Sequence, residues 1–371
     1  MNKDGLTGEN APATEQSSGA PETQPRGKRP ALAAVLTCAV FLIAAAALSL
    51  LARLSAGFGN FYASKVYPLW QGSLGRIAGI LPFSLSEAIL YTIPLLILID
   101  VIVNRRRLLR VVKHLAVFVS VLLFLYSANC GVNYYRTSFA RTEGLERVEP
   151  TKELLTEFCE YTAGRLIEEG EACPAVSRDE LAGGAVAAMR KLGEEYPTLS
   201  GFYPRPKPIF NSEPFSAMGV TGIYSPFTIE ANYNRDITAY NLPFTACHEL
   251  SHLKGYMNEK EANYIGWLAC IGSDDAYFNH SGWMMAWVYA GNALYSADSE
   301  AFLALYDTLP DSVAAELREN NEFWREHETK ASEVQDKVND AYLKANGQEN
   351  GVVDYGLVVD LMLTWYARNV L

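Results

Sequence analysis

The sequence predicts an α+β protein, mostly helical, in which N-terminal transmembrane helices precede a soluble domain with a small β-sheet. Long apolar runs crowd the first third of the 371-residue chain. Helical periodicity dominates most of the remainder. Residues 197–235 interrupt it: they are rich in Pro, Gly, Phe and Tyr and contain three short β-type runs, Pro208–Phe210, Gly219–Tyr224 and Phe227–Ala231.

The first third of the chain predicts a tail and a membrane domain. Residues 1–30 lack apolar periodicity and are rich in Gly, Pro, Ser and Glu, which predicts a disordered cytoplasmic tail. Residues 31–135 are expected to form a membrane domain. It contains three apolar runs long enough to cross a bilayer, at about 31–54, 85–103 and 114–132.

Basic and aromatic residues predict the orientation of these spans. One basic cluster, at 26–29, precedes the first span, and another, at 105–113, lies between the second and third. Because positively charged loops stay in the cytoplasm, the N-terminus is expected there and residues 141–371 outside the cell membrane. The alternative is that the middle run is a buried or re-entrant helix, which would place the C-terminal domain inside. Between the first two spans, Tyr67 and Trp70 suit the membrane interface.

Two later apolar segments could be mistaken for further spans. They cover residues 275–297 and 352–370. Polar or charged residues interrupt both, so we interpret them as core helices of the soluble domain.

Composition limits the classes of function. The net charge of −11 argues against nucleic-acid binding, which needs a basic face. The six cysteines have no CxxC spacing, which argues against a cysteine-rich zinc site. Cys159 with Cys173, or Cys247 with Cys270, could form disulfides outside the cell, and buried free thiols are the alternative.

The run His248-Glu249-Leu250-Ser251-His252 carries the strongest chemical signal in the chain. On a helix, the imidazoles of His248 and His252 lie one turn apart on the same face and can both bind a zinc ion. Glu249 then faces the open position of the metal and can act as the catalytic base. Pro243 before the motif and Gly255 after it indicate a short helix with a defined start and end.

A hydrolytic zinc site usually has a third protein ligand. Glu259 and Glu261 open the next helix and, two residues apart, cannot both face the site. Glu261 shares a helical face with Tyr264, Ile265 and Leu268, which is predicted to be buried. A buried carboxylate needs a cation partner, so Glu261 is predicted to be the third ligand and Glu259 to be solvated.

Further residues are predicted to assist the reaction. An oxyanion donor is expected, with Tyr355 and His280 as candidates. Gly222, Ile223 and Tyr224 are predicted to lie in a strand that could align an extended peptide substrate by main-chain pairing. An ordinary structural strand beside the site is the alternative.

Four motifs resemble a known family: Gly222–Thr228, Leu242–His252, Glu261-Ala262-Asn263 and Gly351–Gly356. They are similar to the domain-of-unknown-function family 3810, and the resemblance spans the three membrane segments and nearly the whole soluble domain. It implies membrane-anchored peptidases that are zincin-like by motif. The spacing from His252 to Glu261 is also similar to zinc peptidases of the ImmA/IrrE type, which by analogy implies Glu261 as the third ligand.

These observations predict a membrane-anchored, zinc-dependent metallopeptidase with a zincin-like domain at residues 141–371. Its expected partners are a peptide or protein substrate and the lipid bilayer, with no nucleic acid. Two alternatives stay open. One is a membrane-anchored zinc-binding or interaction module with little catalytic activity, and the other is a regulatory protease that faces the cytoplasm.

Overall fold

The computed structural model describes residues 29–169, 177–346 and 356–371. The described chain is mostly helical with one small sheet, as predicted. Its α-helices are α1 (Arg29–Leu54), α2 (Ala56–Phe61), α3 (Tyr67–Trp70), α4 (Arg76–Gly79), α5 (Leu85–Val103), α6 (Leu108–Asn129), α7 (Phe139–Thr142), α8 (Lys152–Glu169), α9 (Arg178–Glu195), α10 (Glu213–Ala217), α11 (Asn241–Leu253), α12 (Glu259–Ile271), α13 (Ala276–Ala297), α14 (Ser299–Tyr306), α15 (Asp311–His327), α16 (Lys330–Ala345) and α17 (Gly356–Asn369). The strands are β1 (Lys207–Ile209), β2 (Gly222–Ser225) and β3 (Glu230–Asn234).

Shorter helical turns complete these elements. Two π-helical turns, at Tyr62–Val66 and Gln71–Gly75, and two 3₁₀ turns, at Gly131–Tyr135 and Pro197–Leu199, connect the α-helices. The predicted disordered tail, apart from its last two residues, lies outside the described residues.

Three helices are long and apolar enough to cross a membrane, as predicted. They cover Leu32–Leu54, Leu85–Val103 and Leu108–Tyr135. The third begins six residues before the predicted start at 114, because the basic residues there continue the helix instead of forming a loop. No other described helix meets the same criteria, and α13 and α17 contribute buried side chains to the core, as predicted.

The spans differ in how they pack. Helices α1 and α6 lie against each other, with the rings of Phe41 and Phe124 5.4 Å apart and the hydroxyls of Ser49 and Ser127 at 3.4 Å. In contrast, no side chain of α5 is buried. Helices α1 and α6 therefore pack closely together, whereas α5 stands apart from them along most of its length.

The sheet has the order β1-β3-β2, so β2 is an edge strand. Strand β1 runs parallel to β3 and β2 runs antiparallel to it. The third β-type run was predicted at Phe227–Ala231, but the strand begins three residues later. Ile229 has a φ of +54°, a left-handed conformation that reverses the chain and turns residues 226–229 into a tight connection.

The motif helix α11 lies at the centre of the part of the chain that follows the three apolar helices. It packs against β2 and β3 on one side and against α9, α12 and α13 on the others. Ser177 and Glu180 form the capping box that starts α9. Cys247 on α11 is a buried free thiol, so the predicted alternative of a Cys247–Cys270 disulfide is not formed, and Cys173 lies outside the described residues.

Buried polar contacts join the membrane part to the rest of the chain. The Tyr67 hydroxyl lies 2.7 Å from the Tyr224 hydroxyl and donates to the carbonyl of Leu253 at 3.0 Å. Tyr67 is fully buried in protein, so its ring is not available to the membrane interface as predicted. The segment between the first two spans folds back onto the end of α11, because its aromatic residues find a protein core there.

The start of α5 is held by a buried carboxylate. Glu230 accepts hydrogen bonds from the main-chain N–H groups of Leu85 and Ser86 at 3.1 and 2.9 Å. These N–H groups have no partner within the helix, and the helix dipole favours a negative charge beside them. Lys207 neutralises Glu230 at 2.6 Å, and both side chains are buried.

Candidate functional site

The predicted motif helix is present. Helix α11 contains Pro243 in its first turn, where a missing N–H costs nothing. It ends at Leu253, and Gly255 follows with a φ of +88°, a conformation that glycine adopts without strain. His248 and His252 therefore lie one turn apart, with their rings 4.6 Å from each other.

The two imidazoles turn the same nitrogen towards one point. The Nδ1 of His252 lies 2.8 Å from the carbonyl oxygen of Tyr256, so Nδ1 carries a proton and Nε2 is the nitrogen that faces the cluster. Such a contact fixes the tautomer and the ring orientation of a metal-binding histidine. The side chains of His248 and His252 are only 12% and 10% exposed.

Glu259, and not Glu261, meets these nitrogens. Its Oε2 lies 3.3 Å from Nε2 of His248 and 3.5 Å from Nε2 of His252. Two ligands of a tetrahedral zinc ion, each about 2.0–2.1 Å from the metal, stand about 3.3–3.4 Å apart. His248, His252 and Glu259 are the group of potential ligands that the described residues bring within 4.8 Å of one another.

The prediction that Glu261 faces the histidines is therefore wrong. Glu261 does lie on the buried face of α12, as its periodicity indicated. That face, however, points to the segment after α6, where the carboxylate accepts a short hydrogen bond from the N–H of Phe139. Burial raises the pKa of Glu261 to about 7, although Arg136 and the main-chain hydrogen bonds act in the opposite direction. The two histidines lie next to the partly exposed side of α12. Glu259, whose side chain is 39% exposed, is on that side and therefore reaches them.

Glu249 is buried beside the cluster. Its Oε1 lies 4.0 Å from Nε2 of His248, and it accepts a hydrogen bond from the main-chain N–H of Tyr224. Its Oε2 is buried without a hydrogen-bond partner among the described residues. Burial raises the pKa of Glu249 to about 7, against the effect of the two histidines. Such a carboxyl can exchange a proton near neutral pH.

Neighbouring charges adjust the other groups of the cluster. Burial alone would lower the pKa of His252, but the carboxylate of Glu259 raises it to about 9. His252 and His248 in turn hold the pKa of Glu259 below its ordinary value, although burial opposes this. The carboxylate of Glu259 thus favours a positive charge at the histidines. A cation bound between these side chains would provide the same charge.

Strand β2 closes one side of the site with its unpaired edge. Gly222, Ile223 and Tyr224, the predicted substrate strand, all line the cavity. Thr221 accepts a hydrogen bond from the N–H of Asn234 at 2.7 Å, which turns its main chain towards β3. The N–H and C=O groups of successive residues point to opposite sides of a strand. Those of Gly222 and Tyr224 therefore point to the open edge of β2. The N–H of Tyr224 is used by Glu249, and the polar groups of Gly222 face the cavity.

The site opens into a cavity of about 620 Å³. Helix α16 crosses it, with Gln335, Val338 and Tyr342 among its lining residues. Leu343, near the C-terminal end of α16, is the buried residue of this helix, so most of α16 is accessible to solvent. The Tyr342 hydroxyl accepts a hydrogen bond from Tyr134 at 3.2 Å. These lining residues were not predicted, because the residue pattern of α16 is typical of a solvent-exposed helix.

The two predicted oxyanion donors have different outcomes. His280 does not line the cavity, and its Nε2 lies 2.7 Å from a carboxylate oxygen of Glu316 on α15. It is buried in the core as part of this pair, so the structure places it outside the site. Tyr355 lies outside the described residues.

A family model described as Protein of unknown function (DUF3810) matches residues 62–363. The chain belongs to this family. The match begins after α1, so the DUF3810 region includes the second and third spans and the whole site but not the first span. No curated protein and no solved structure matches the chain.

Proposed function

We propose that this DUF3810 protein is a membrane-anchored, zinc-dependent metallopeptidase that hydrolyses peptide bonds. One observation carries the proposal: His248, His252 and Glu259 converge beside the buried carboxyl of Glu249, at the wall of an open cavity. The cavity and the unpaired edge of β2 beside the cluster also support the proposal, because a chance cluster of His and Glu residues would not require either of them.

The donor set fits zinc. Two imidazole nitrogens and one carboxylate oxygen are ligands that zinc accepts, whereas magnesium and calcium prefer oxygen ligands alone. The separations of 3.3 and 3.5 Å suit a tetrahedral ion. When bound, zinc supplies a Lewis acid that polarises a carbonyl and makes water more acidic.

Glu249 is assigned the role of general base. Its buried Oε2 has no hydrogen-bond partner among the described residues and can accept a proton from the attacking water. The main-chain N–H of Tyr224 holds the carboxyl in place. After attack, the protonated carboxyl can deliver that proton to the leaving amine. Its pKa of about 7 suits both directions of transfer.

Strand β2 is assigned the alignment of the substrate. An extended peptide could add to its open edge and pair with the main chain of Gly222. Gly222 also lets the strand approach Glu249, since a Cβ at this position would lie 2.6 Å from Oε1 of Glu249. The peptide bond to be cleaved would therefore pass close to the base.

The site is proposed to face the outside of the cell membrane. The start of α5 and the end of α6 contact the sheet through Glu230 and Pro226, so both helix ends lie on the side of the soluble part. The basic turn Arg105–Arg107 joins their opposite ends. If basic loops stay in the cytoplasm, the site lies outside. A reporter that is active only outside the cytoplasm, fused to Leu371, tests this, and activity of a cytoplasmic reporter instead would reverse the orientation.

Metal content tests the ligand assignment. The full-length protein is purified in detergent, and zinc is measured for the wild type, His248→Ala, Glu259→Gln and the matched control Glu261→Gln. We expect about one zinc per chain in the wild type and in Glu261→Gln, and a loss in the other two variants. Zinc that depends on Glu261 but not on Glu259 would contradict the geometry.

Cleavage of a peptide library then tests catalysis. Peptides derived from a whole proteome are incubated with the wild type and with Glu249→Gln, and new termini are identified by mass spectrometry. Cleavage that requires Glu249 supports the peptidase. If zinc binds through Glu259 but neither these peptides nor cellular proteins are cleaved, the alternative of a zinc-binding interaction module replaces it.

A further inference from the structure

One wall of the site cavity belongs to the third candidate span. Tyr126 in the last turn of α6, and Cys130 and Tyr134 just after it, line the same cavity as His248 and His252. Helix α6 has 22 residues, which at about 1.5 Å per residue measure roughly 33 Å, close to the thickness of a bilayer core. Its last turn therefore lies at the membrane surface, and the cavity lies there too.

The cavity also reaches the gap between the second and third spans. The turn at residues 226–229 separates them: the carbonyl of Pro226 accepts a hydrogen bond from Asn129 of α6 at 2.8 Å. On its other side, Thr228 is hydrogen-bonded to Ser86 of α5 at 2.6 Å. Phe227, between these two contacts, lines the cavity and is 39% exposed. Phe227, on the rim of the cavity, thus lies between the ends of α5 and α6.

The start and the end of α5 are each tied to another part of the chain. No side chain of α5 is buried, although its start is tied to the sheet and its end contacts α6 through Asp100 and His114 at 3.0 Å. Helices α5 and α6 thus meet near the basic turn, and the turn at 226–229 lies between their other ends, at the level of the cavity.

The chemistry of the rim suits an apolar chain. Ile223 on β2, Phe227 and Val338 on α16 line the cavity and are 45%, 39% and 57% exposed. Exposed apolar side chains grouped at a cavity mouth mark a binding surface for an apolar partner. Beside a bilayer, that partner is the apolar flank of a membrane-anchored chain.

We propose that the substrates are polypeptides anchored in the same membrane, which enter from the cleft between α5 and α6 and are cleaved close to their anchor. This inference rests on the proposed peptidase function. A cavity of about 620 Å³ is roughly 10 Å across, which three or four residues of extended chain span at about 3.3 Å per residue. With a similar length of chain between the cavity mouth and the membrane surface, the cleaved bond lies within about ten residues of the anchor.

The first experiment maps cleavage sites in cells. The full-length wild type and Glu249→Gln are produced in the same strain, and the N-termini of all proteins are labelled and identified. Wild-type-specific termini within about ten residues of an apolar span or lipid anchor support the proposal. Specific termini that lie mainly in proteins without an anchor overturn it but keep the peptidase. No specific termini, together with an uncleaved peptide library, would remove the peptidase and this inference with it.

The second experiment tests the entry route. A cleaved sequence is synthesised with and without a palmitoyl chain, and both forms are supplied to the full-length protein in liposomes. We expect at least tenfold faster cleavage of the palmitoylated form by the wild type and by the control Leu303→Ser, an exposed leucine on α14 that does not line the cavity. In Phe227→Ser the ratio is expected to fall severalfold. An unchanged ratio in Phe227→Ser would overturn entry along this rim.

Discussion

The close approach of Gly222 to the proposed base allows a test with a single methyl group. In Gly222→Ala, the added Cβ would lie 2.6 Å from Oε1 and 2.8 Å from Cγ of Glu249, and 2.8 Å from Cγ2 of Thr245. All three separations are well below ordinary contact distances, so side chains or strand must move. Gly222 has no positive φ, so the backbone itself tolerates alanine.

The expected magnitude follows from this overpacking. Extra methyl groups in a packed site cost about 1–3 kcal/mol of the free energy of unfolding. The thermal midpoint should fall by about 2–4 °C per kcal/mol if the protein behaves like a domain of 150–250 residues. Displacing the general base should also lower kcat by roughly 10²–10⁴-fold. The zinc content should stay unchanged, because the clash does not involve His248, His252 or Glu259.

The assay compares the full-length protein in detergent, by tryptophan fluorescence on heating, zinc content and peptide cleavage. Gly183→Ala on α9 is the control: no atom lies within 4 Å of its added Cβ, and alanine in a helix is neutral or stabilising. The decisive comparison repeats Gly222→Ala in a Glu249→Ala background, where two of the three clashes disappear. A thermal shift of the same size in both backgrounds, or full activity of Gly222→Ala, would refute the reasoning.

Three further predictions concern the contacts that hold the site and the membrane part. Gly266→Ala would place a Cβ 3.0 Å from the main-chain nitrogen of His248, so α11 and α12 should separate slightly. The affinity for zinc, measured by competition with a chelator, should then fall several-fold, and an unchanged affinity would contradict this. Glu230→Gln leaves Lys207 buried without its counter-charge and should cost about 3–5 kcal/mol at neutral pH. The hydrogen bonds from Lys207 and other donors lower the pKa of Glu230 despite its burial. The stabilisation of the folded state by the Glu230 carboxylate is therefore present above the unfolded pKa of 4.5, and it is lost as the pH falls through the lower pKa of the folded state. Thermal midpoints of the two proteins should therefore converge below about pH 4, and a difference that does not depend on pH would count against the ion pair. Tyr67→Phe removes a buried hydroxyl that bonds to two partners and should lower the free energy of unfolding by about 1–3 kcal/mol, whereas an unchanged midpoint would mean that these bonds contribute nothing.

The features predicted correctly from the sequence are those encoded by consecutive residues. Length and apolarity identified the three candidate spans, and the boundary residues of the motif helix placed His248 and His252 on one face. The capping box at Ser177 likewise starts a helix. Each of these follows from contacts within a few residues of chain, so no knowledge of the tertiary fold was needed.

The choice between Glu259 and Glu261 shows where such reasoning ends. Helical periodicity correctly assigned Glu261 to the buried face of α12, but it could not say which neighbour that face meets. It meets the main chain at Phe139, a segment that lies 122 residues away in sequence. Tyr67 presents the same difficulty, since the contact that buries it is with Tyr224. Long-range packing decides both cases.

The buried carboxylate at the start of the second span also constrains biosynthesis. Residues 85 and 86 leave the ribosome long before Glu230, so the start of α5, whose N–H groups donate to this carboxylate, is made before β3. The strand can then bury Glu230 and Lys207 against a finished surface. A soluble fragment that begins after the spans would expose this ion pair and lose the partners of Tyr224 and Leu253. We therefore expect the folded protein to need its three apolar helices, which would serve as the template on which the site assembles.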